Sequence, residues 1–163
     1  MAVTTENSAQ EVNRVAVPVV MAKPYDAEKV RFMYFSFVQG AAAGDANSLM
    51  NLVTLPGGNL RLIKTMCHYN CSAFGASRTL DVGYLAHTKQ DGTAVAASID
   101  KLDDGGDVSA LANRIMGTGT AGLTADPTIL FDSRDGVTIQ AKVLGDTIPA
   151  AATLKGFIAY IKE

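Results

Sequence analysis

Near its carboxyl end the chain reads Val137-Thr138-Ile139-Gln140-Ala141-Lys142-Val143. Apolar and polar residues alternate there with a period of two, so the odd-numbered side chains share one face of a β-strand and the even-numbered side chains share the other. A strand of this kind is half buried, with one face on a core and one face towards solvent. The stretch therefore predicts a sheet that packs over an apolar core.

Similar runs recur along the chain between turns that are rich in Gly, Asn, Asp and Pro. Residues 30–38 (VRFMYFSFV) are apolar on both faces, which predicts a central strand that is covered on each side. The runs predict six to eight strands, at residues 30–38, 49–55, 60–71, 79–85, 129–131, 137–143 and 153–161. The predicted fold is all-β in the main, with residues 26–163 forming one β-sandwich or jelly-roll-like domain.

Two details of this prediction depend on local patterns. In residues 60–71 the odd-numbered side chains from Ile63 to Cys71 are expected to face the core, and Lys64 and His68 to face outwards, along one long strand. The pair Asp135-Gly136 is a hairpin signal, which predicts that residues 129–131 pair with residues 137–143.

One short helix is predicted within the sheet domain. Asp107 is a residue type that caps helix starts, and Leu111, Arg114 and Ile115 follow at helical spacing before Gly117. The predicted helix is about ten residues long.

Composition limits the classes of partner. The chain has 163 residues, 48% of them hydrophobic and 18% charged, and a formal net charge of −2. This balance gives no basic footprint for nucleic acid and no polybasic membrane patch. No apolar run has the length of a membrane-spanning helix, and the start MAVTTENSAQEVNR lacks the basic and apolar regions of a secretion signal. We expect synthesis in the cytoplasm, with neither nucleic acid nor membrane as a partner.

Residues 1–25 are predicted to form an extended amino-terminal arm. They are polar at first and then become β-prone around Pro18, which cannot donate to a ladder. The alternatives are a first edge strand of the domain and a segment that pairs with a neighbouring subunit or partner. The candidate partner-binding residues are Val15, Val17, Val19, Val20 and Met21.

Several clusters resemble chemical sites but have simpler explanations. Residues 117–122 (GTGTAG) have the spacing of a dinucleotide loop, yet the predicted helix precedes the loop and Asp126-Pro127 follows it, which reverses the order that such a loop needs. The four carboxylates at positions 100, 103, 104 and 107 fit no twelve-residue calcium loop and are interpreted as solvated loop residues.

Cysteine and histidine give no metal or catalytic site. Neighbours on a strand point to opposite faces, so Cys67 and His68 cannot bind a common metal, and His87 must come from another strand. Cys67 and Cys71 are about 13 Å apart on a strand, which is beyond disulfide reach, and they are expected to be reduced core thiols. No nucleophile elbow, zinc-protease motif or phosphate loop is present, so we expect no enzyme activity and no cofactor.

Several segments resemble small structural proteins of tailed bacteriophages, in particular the capsid decoration or cement proteins. The segments are residues 43–48 (AGDANS), 51–58 (NLVTLPGG), 72–84 (SAFGASRTLDVGY), 136–139 (GVTI), 147–149 (TIP) and 154–157 (LKGF). The resemblance implies a β-sandwich or jelly-roll module on the outside of the virion head. It implies the major capsid protein as partner, stabilisation of its lattice as function, and no catalytic residue.

Symmetry gives an expectation for self-association. Closed symmetric assemblies are the default for such chains, and the local threefold positions of an icosahedral lattice favour a homotrimer over a dimer.

The alternative function is a head-fibre or host-surface module that binds glycans through loops around Tyr84, His87 and Asp103, as β-sandwiches readily do. Against it, the chain has no Trp and only five Tyr for stacking on sugars. A hydrolase or isomerase on a jelly-roll scaffold is the third and least favoured alternative.

Overall fold

The described residues of the computed structural model are 5–7, 29–118 and 126–163, and they form thirteen β-strands and one 3-10 turn. The 3-10 turn spans Lys64–Met66. The strands are β1 (Thr5–Asn7), β2 (Arg31–Val38), β3 (Leu49–Leu55), β4 (Gly58–Ile63), β5 (His68–Cys71), β6 (Thr79–Tyr84), β7 (His87–Thr88), β8 (Ala94–Val95), β9 (Ser98–Asp107), β10 (Ala112–Ile115), β11 (Thr128–Ser133), β12 (Val137–Leu144) and β13 (Thr153–Lys162).

The strands form two facing sheets. Sheet A has the order β1-β3-β12-β6-β9, and in it only β1 runs parallel to its neighbour. Sheet B has β13 at its centre, with β2 on one side and β4 and β5 end to end on the other, followed by β11 and β10. If β4 with β5 and β10 with β11 are taken as interrupted single strands, this order is that of a jelly roll, to which β1 and the β7–β8 hairpin are added. The predicted fold class is confirmed.

Successive strands of the roll mostly cross between the sheets, and this explains why the predicted hairpin is wrong. β11 pairs with β4 in sheet B, whereas β12 pairs with β3 and β6 in sheet A. The turn around Gly136 is therefore a corner between the sheets. Gly136 has a φ of +104°, and a Cβ there would lie 2.4 Å from the Leu55 carbonyl oxygen. The glycine allows two crossing corners to touch.

The core lies between the sheets and follows the predicted alternation. In β12 the side chains of Val137, Ile139, Ala141 and Val143 are fully buried. They belong to one cluster with inward side chains of sheet B, among them Phe37. The apolar face of each strand is thus buried against the other sheet, which is the main driving force for this fold.

The prediction for residues 30–38 is wrong about one face. Phe35 and Phe37 point into the core, but Phe32, Tyr34 and Val38 are 43%, 65% and 60% exposed. Among the described strands β2 pairs only with β13, so it lies beside the central strand and not at the centre of the sheet.

The long strand predicted at residues 60–71 is interrupted by the 3-10 turn. Before the turn Leu60 and Leu62 are buried, and after it Cys67, Tyr69 and Cys71 are buried, so the inward positions change from even to odd. Lys64 was expected to face outwards but is only 3% exposed. Its burial lowers the pKa of its ammonium group.

The predicted helix near Asp107 is also wrong. Residues 112–115 form β10, which pairs antiparallel with β5. The Asp107 carboxylate accepts a hydrogen bond from the Ser109 backbone N–H at 2.9 Å, so it closes a turn after β9. Pairing with β5 outweighs a helical spacing that extends over only a few residues.

The predicted acidic loop is part of β9, and one of its carboxylates joins the two sheets. Asp103 is 1% exposed, accepts a hydrogen bond from the Tyr69 hydroxyl at 2.9 Å, and accepts another from the Gly117 backbone N–H at 2.9 Å. The Arg114 guanidinium lies 4.0 Å from the same carboxylate. Because Asp103 is in sheet A and Tyr69 is in sheet B, this cluster connects the layers within the core.

We predict that Tyr69→Phe lowers the free energy of unfolding by about 2 kcal/mol, because it removes one hydrogen bond to a buried carboxylate. Tyr34→Phe is the matched control, since Tyr34 is 65% exposed, and it should change stability by less than about 0.5 kcal/mol. Urea unfolding followed by circular dichroism measures both. Equal stability of the Tyr69→Phe variant and the wild type would contradict the assigned role.

Candidate functional site

A row of apolar side chains crosses the outer face of sheet B. The strand registers place Tyr34 of β2 opposite Phe157 of β13, Phe157 opposite His68 of β5, and His68 opposite Ile115 of β10. Four neighbouring strands thus each contribute one side chain to the same level of the sheet. Phe32 lies on the same face of β2, two residues from Tyr34. These five residues are named the aromatic stripe.

Phe157 holds the stripe together. Its ring stacks on His68 at a centroid distance of 5.8 Å, and meets Phe32 and Tyr34 edge to face at 5.5 and 5.8 Å. Such ring pairs add about 0.5–1.5 kcal/mol each beyond the area that they bury. Phe32 and Ile115 remain 43% and 42% exposed, and Tyr34 is 65% exposed. The stripe is therefore an ordered apolar surface that the fold leaves open.

The next row of sheet B is polar. The registers align Ser36 with Lys155, Lys155 with Asn70, and Asn70 with Asn113. Lys155, Asn70 and Asn113 are exposed. An apolar stripe with hydrogen-bonding groups along its side has the composition of a protein interface, in which an apolar centre is surrounded by a polar rim.

The outer face of sheet A has different chemistry. The Thr54 and Thr138 hydroxyls are 2.8 Å apart, and the Gln140 side-chain amide donates to Asn51 at 2.7 Å. Asn51 in turn donates to Asn7 at 2.9 Å. Gln140 is only 4% exposed, so its amide is satisfied within this network. The outer face of sheet A therefore presents polar groups that are paired across strands.

A pocket of about 410 Å³ opens at one edge of the sandwich. Three rings line it: Tyr84 at the end of β6, His87 of β7 and Phe131 of β11. Their centroids are 5.2–5.8 Å apart and each pair meets edge to face. The volume lies within the usual range of small-molecule sites, roughly 300–1,000 Å³.

Polar groups surround the pocket. The Gln90 side-chain amide donates to Asn59 at 2.8 Å and to Asp132 at 2.9 Å. Asn59, Asp132, Lys89 and Glu163 are among the lining residues. Gln90 thus links the hairpin region to strands β4 and β11 at the pocket rim.

Of the three residues whose loops were predicted to bind glycans, Tyr84, His87 and Asp103, the structure brings only the first two together. Tyr84 and His87 meet at the pocket, with 5.6 Å between their ring centroids. Asp103 does not join them, because its side chain is enclosed between the sheets by Tyr69 and Gly117. Phe131 and Asn59 were missed, since nothing in the local sequence shows that β11 and β4 pass beside Tyr84.

The other sequence candidates form no metal cluster among the described residues. Of the glycine-rich loop 117–122, only Gly117 and Thr118 are described. The candidate partner-binding residues Val15, Val17, Val19, Val20 and Met21 lie outside the described residues. No helix within the described ranges has the length and hydropathy needed to cross a membrane.

Both cysteines are free and buried, as predicted. The Cys67 thiol donates to the Ile63 carbonyl at 3.2 Å and accepts from the Ala159 N–H at 3.3 Å. Burial raises the pKa of Cys67 to about 12 and also raises the pKa of Cys71. Because the thiolate is the reactive form, burial and the raised pKa values both disfavour reaction of these thiols in the folded state.

We predict that neither Cys67 nor Cys71 reacts with Ellman's reagent at pH 8 in the native protein, because burial both excludes the reagent and raises the pKa values of the thiols. Both should react within minutes in guanidinium chloride. Absorbance of the released thiolate measures the reaction, and fast reaction in native buffer would contradict this assignment.

The fold of this chain resembles those of viral chains among solved structures. No protein-family model and no curated protein matches the chain. Among solved structures, a chain of the cyanophage Pam1 capsid asymmetric unit matches with a TM-score of 0.53 and 14% identity, over 91% of this chain and 96% of that chain. A chain of infectious bursal disease virus, Gx strain, matches with a TM-score of 0.48 and 11% identity, over 90% of this chain and 36% of that chain. The D431N mutant of the VP2 protein of the same virus matches with a TM-score of 0.48 and 8% identity, over 91% of this chain and 36% of that chain. The chain thus shares its fold with a chain of the Pam1 capsid.

Proposed function

We propose that the chain is a non-enzymatic structural protein of a virion, which binds the outer surface of a phage capsid and stabilises the lattice of the major capsid protein. The observation that carries this proposal is the aromatic stripe, an ordered and exposed apolar surface on one face of the fold. The match to a chain of the Pam1 capsid supports it, because nearly the whole of each chain is matched.

The stripe has the energetic properties of a contact surface. Complete burial of one Phe or Ile side chain contributes about 1.5–3 kcal/mol. Phe157 already contacts Phe32, Tyr34 and His68, so little side-chain freedom remains to be lost when a partner covers the rings. A few such residues at the centre of an interface can supply most of its binding energy.

The contrast between the two outer faces gives the chain an orientation on the capsid. Sheet B carries the exposed aromatic rings, whereas sheet A carries the Thr and amide pairs around Gln140. We assign the aromatic stripe of sheet B to the capsid and sheet A to the solvent, because the polar side chains of sheet A are already paired with one another and offer no exposed ring to a partner.

Repetition on a lattice removes the need for tight single contacts. A standard protein interface buries about 1,600 Å² in total, and linked weak contacts raise the overall affinity through effective concentration. A homotrimer at a local threefold position would present three copies of the stripe at once. Within the proposed arm, residues 1–25, Thr5–Asn7 pairs with β3 of the same chain, and the candidate residues from Val15 to Met21 would add an extended contact to a capsid neighbour or to a sister subunit.

We predict that Tyr34→Ser lowers affinity for capsids at least about tenfold, because it removes the ring that, at 65% exposure, has most surface left to bury against a partner. Leu130→Ser is the matched control, since Leu130 is 63% exposed against 65% for Tyr34. It lies on the outer face of β11 beside the pocket, level with Ile161 of β13 and therefore outside the row of the stripe. Co-sedimentation of each variant with purified heads that lack the protein measures binding. Equal binding by wild type and the Tyr34→Ser variant would refute the stripe as contact surface.

The arm is tested separately. Replacing Val15, Val17, Val19, Val20 and Met21 by Ser removes all five candidate contact residues of the arm and keeps Thr5–Asn7, which pairs with β3. We predict weaker head binding with an unchanged melting temperature of the domain. Unchanged head binding would exclude the arm as a capsid contact, and size exclusion with light scattering would show whether trimer formation depends on it.

A further inference from the structure

We infer that the pocket between β6, β7 and β11 binds an uncharged saccharide of about one or two hexose units. The inference concerns a different surface from the aromatic stripe, and it holds for the isolated protein whether or not the protein binds a capsid. It rests on three properties of the pocket: its apolar floor, the amides on its rim and its charge balance.

The floor consists of the three rings of Tyr84, His87 and Phe131. Because each ring meets the other two edge to face at 5.2–5.8 Å, the cluster is held in one arrangement before any ligand enters. Ile129 is buried beside Phe131 and extends the apolar lining. A hexose ring has apolar C–H faces that pack on such aromatic surfaces, and the volume of about 410 Å³ accommodates it.

The rim supplies groups that both donate and accept hydrogen bonds. The side-chain N–H₂ group of Gln90 donates to the side-chain oxygens of Asn59 and Asp132. The side-chain carbonyl oxygen of Gln90 and the side-chain amide nitrogen of Asn59 have no partner among the described residues. Side-chain amides have both functions, and so do sugar hydroxyls. An apolar peptide side chain in the same place would leave these amides unpaired, at a cost to its affinity.

The charges at the rim favour a neutral ligand. The side-chain carboxylate of Glu163 lies 2.6 Å from the Arg61 guanidinium, which balances its negative charge. The remaining rim charges, Lys89 and Asp132, have opposite signs. Neither an anionic nor a cationic ligand gains a net attraction, whereas the hydroxyl groups of a saccharide can bond to both.

The test is an NMR titration of the ¹⁵N-labelled full chain with glucose, galactose, N-acetylglucosamine and their disaccharides. We expect saturable shifts in the amide signals of residues 84–90 and 129–132 for at least one of these sugars. Asn59→Ala should raise the dissociation constant about fivefold or more, because it removes one hydrogen bond to the ligand. His87→Ala should raise it further, because it opens the ring cluster.

The matched control is Asn113→Ala, an exposed asparagine on β10 outside the pocket, which should bind as the wild type does. The Tyr34→Ser variant should also retain sugar binding, which separates this site from the stripe. Absence of saturable shifts with every sugar, equal binding by the Asn59→Ala variant, or pocket shifts only with an apolar peptide would each overturn the inference.

Discussion

The register of β13 is the constraint on which the rest of the structure depends. This strand pairs with β2 along most of its length on one side and with β5 and β4 on the other. Gly156 makes the close pairing possible, because a Cβ there would lie 2.1 Å from the His68 carbonyl oxygen and 2.6 Å from the Phe35 ring. A slip of one residue would exchange the buried Ile158 with Phe157 and turn the aromatic ring into the core.

The same register assembles the functional surface from distant parts of the chain. Tyr34, His68, Ile115 and Phe157 are far apart in sequence and meet only because their strands are neighbours in sheet B. A jelly roll separates the two faces of each sheet, so the inner face provides stability while the outer face is available for contact. Residues that stabilise the fold and residues that bind a partner can therefore vary independently. Beneath the stripe, the hydrogen bond between Tyr69 and Asp103 connects the two sheets.

Local patterns predicted the strands but not their partners. The alternation in β12 identified its core-facing residues correctly, because period two depends only on which face meets the core. Gln140 on the other face was expected to meet solvent, but it is buried by its bond to Asn51 on the neighbouring strand. The signal at Asp135-Gly136 correctly marked a turn, but the turn joins two sheets instead of two paired strands. Which sheet each flanking strand enters depends on pairing with β4 and β3, which are distant in sequence. The aromatic stripe went unpredicted for the same reason: the aromatic residues 32 and 34 were visible in β2, but the strand beside them was unknown. Arg114 and Ile115 showed helical spacing, yet pairing with β5 determined their conformation.

The most direct test of the central claim, that the aromatic stripe contacts the capsid, is hydroxyl-radical footprinting with mass spectrometry of the protein free and bound to heads. We expect oxidation of Phe32, Tyr34 and Phe157 to fall strongly on binding, while the outer face of sheet A reacts as in the free protein. Unchanged oxidation of the stripe together with protection of sheet A would contradict it.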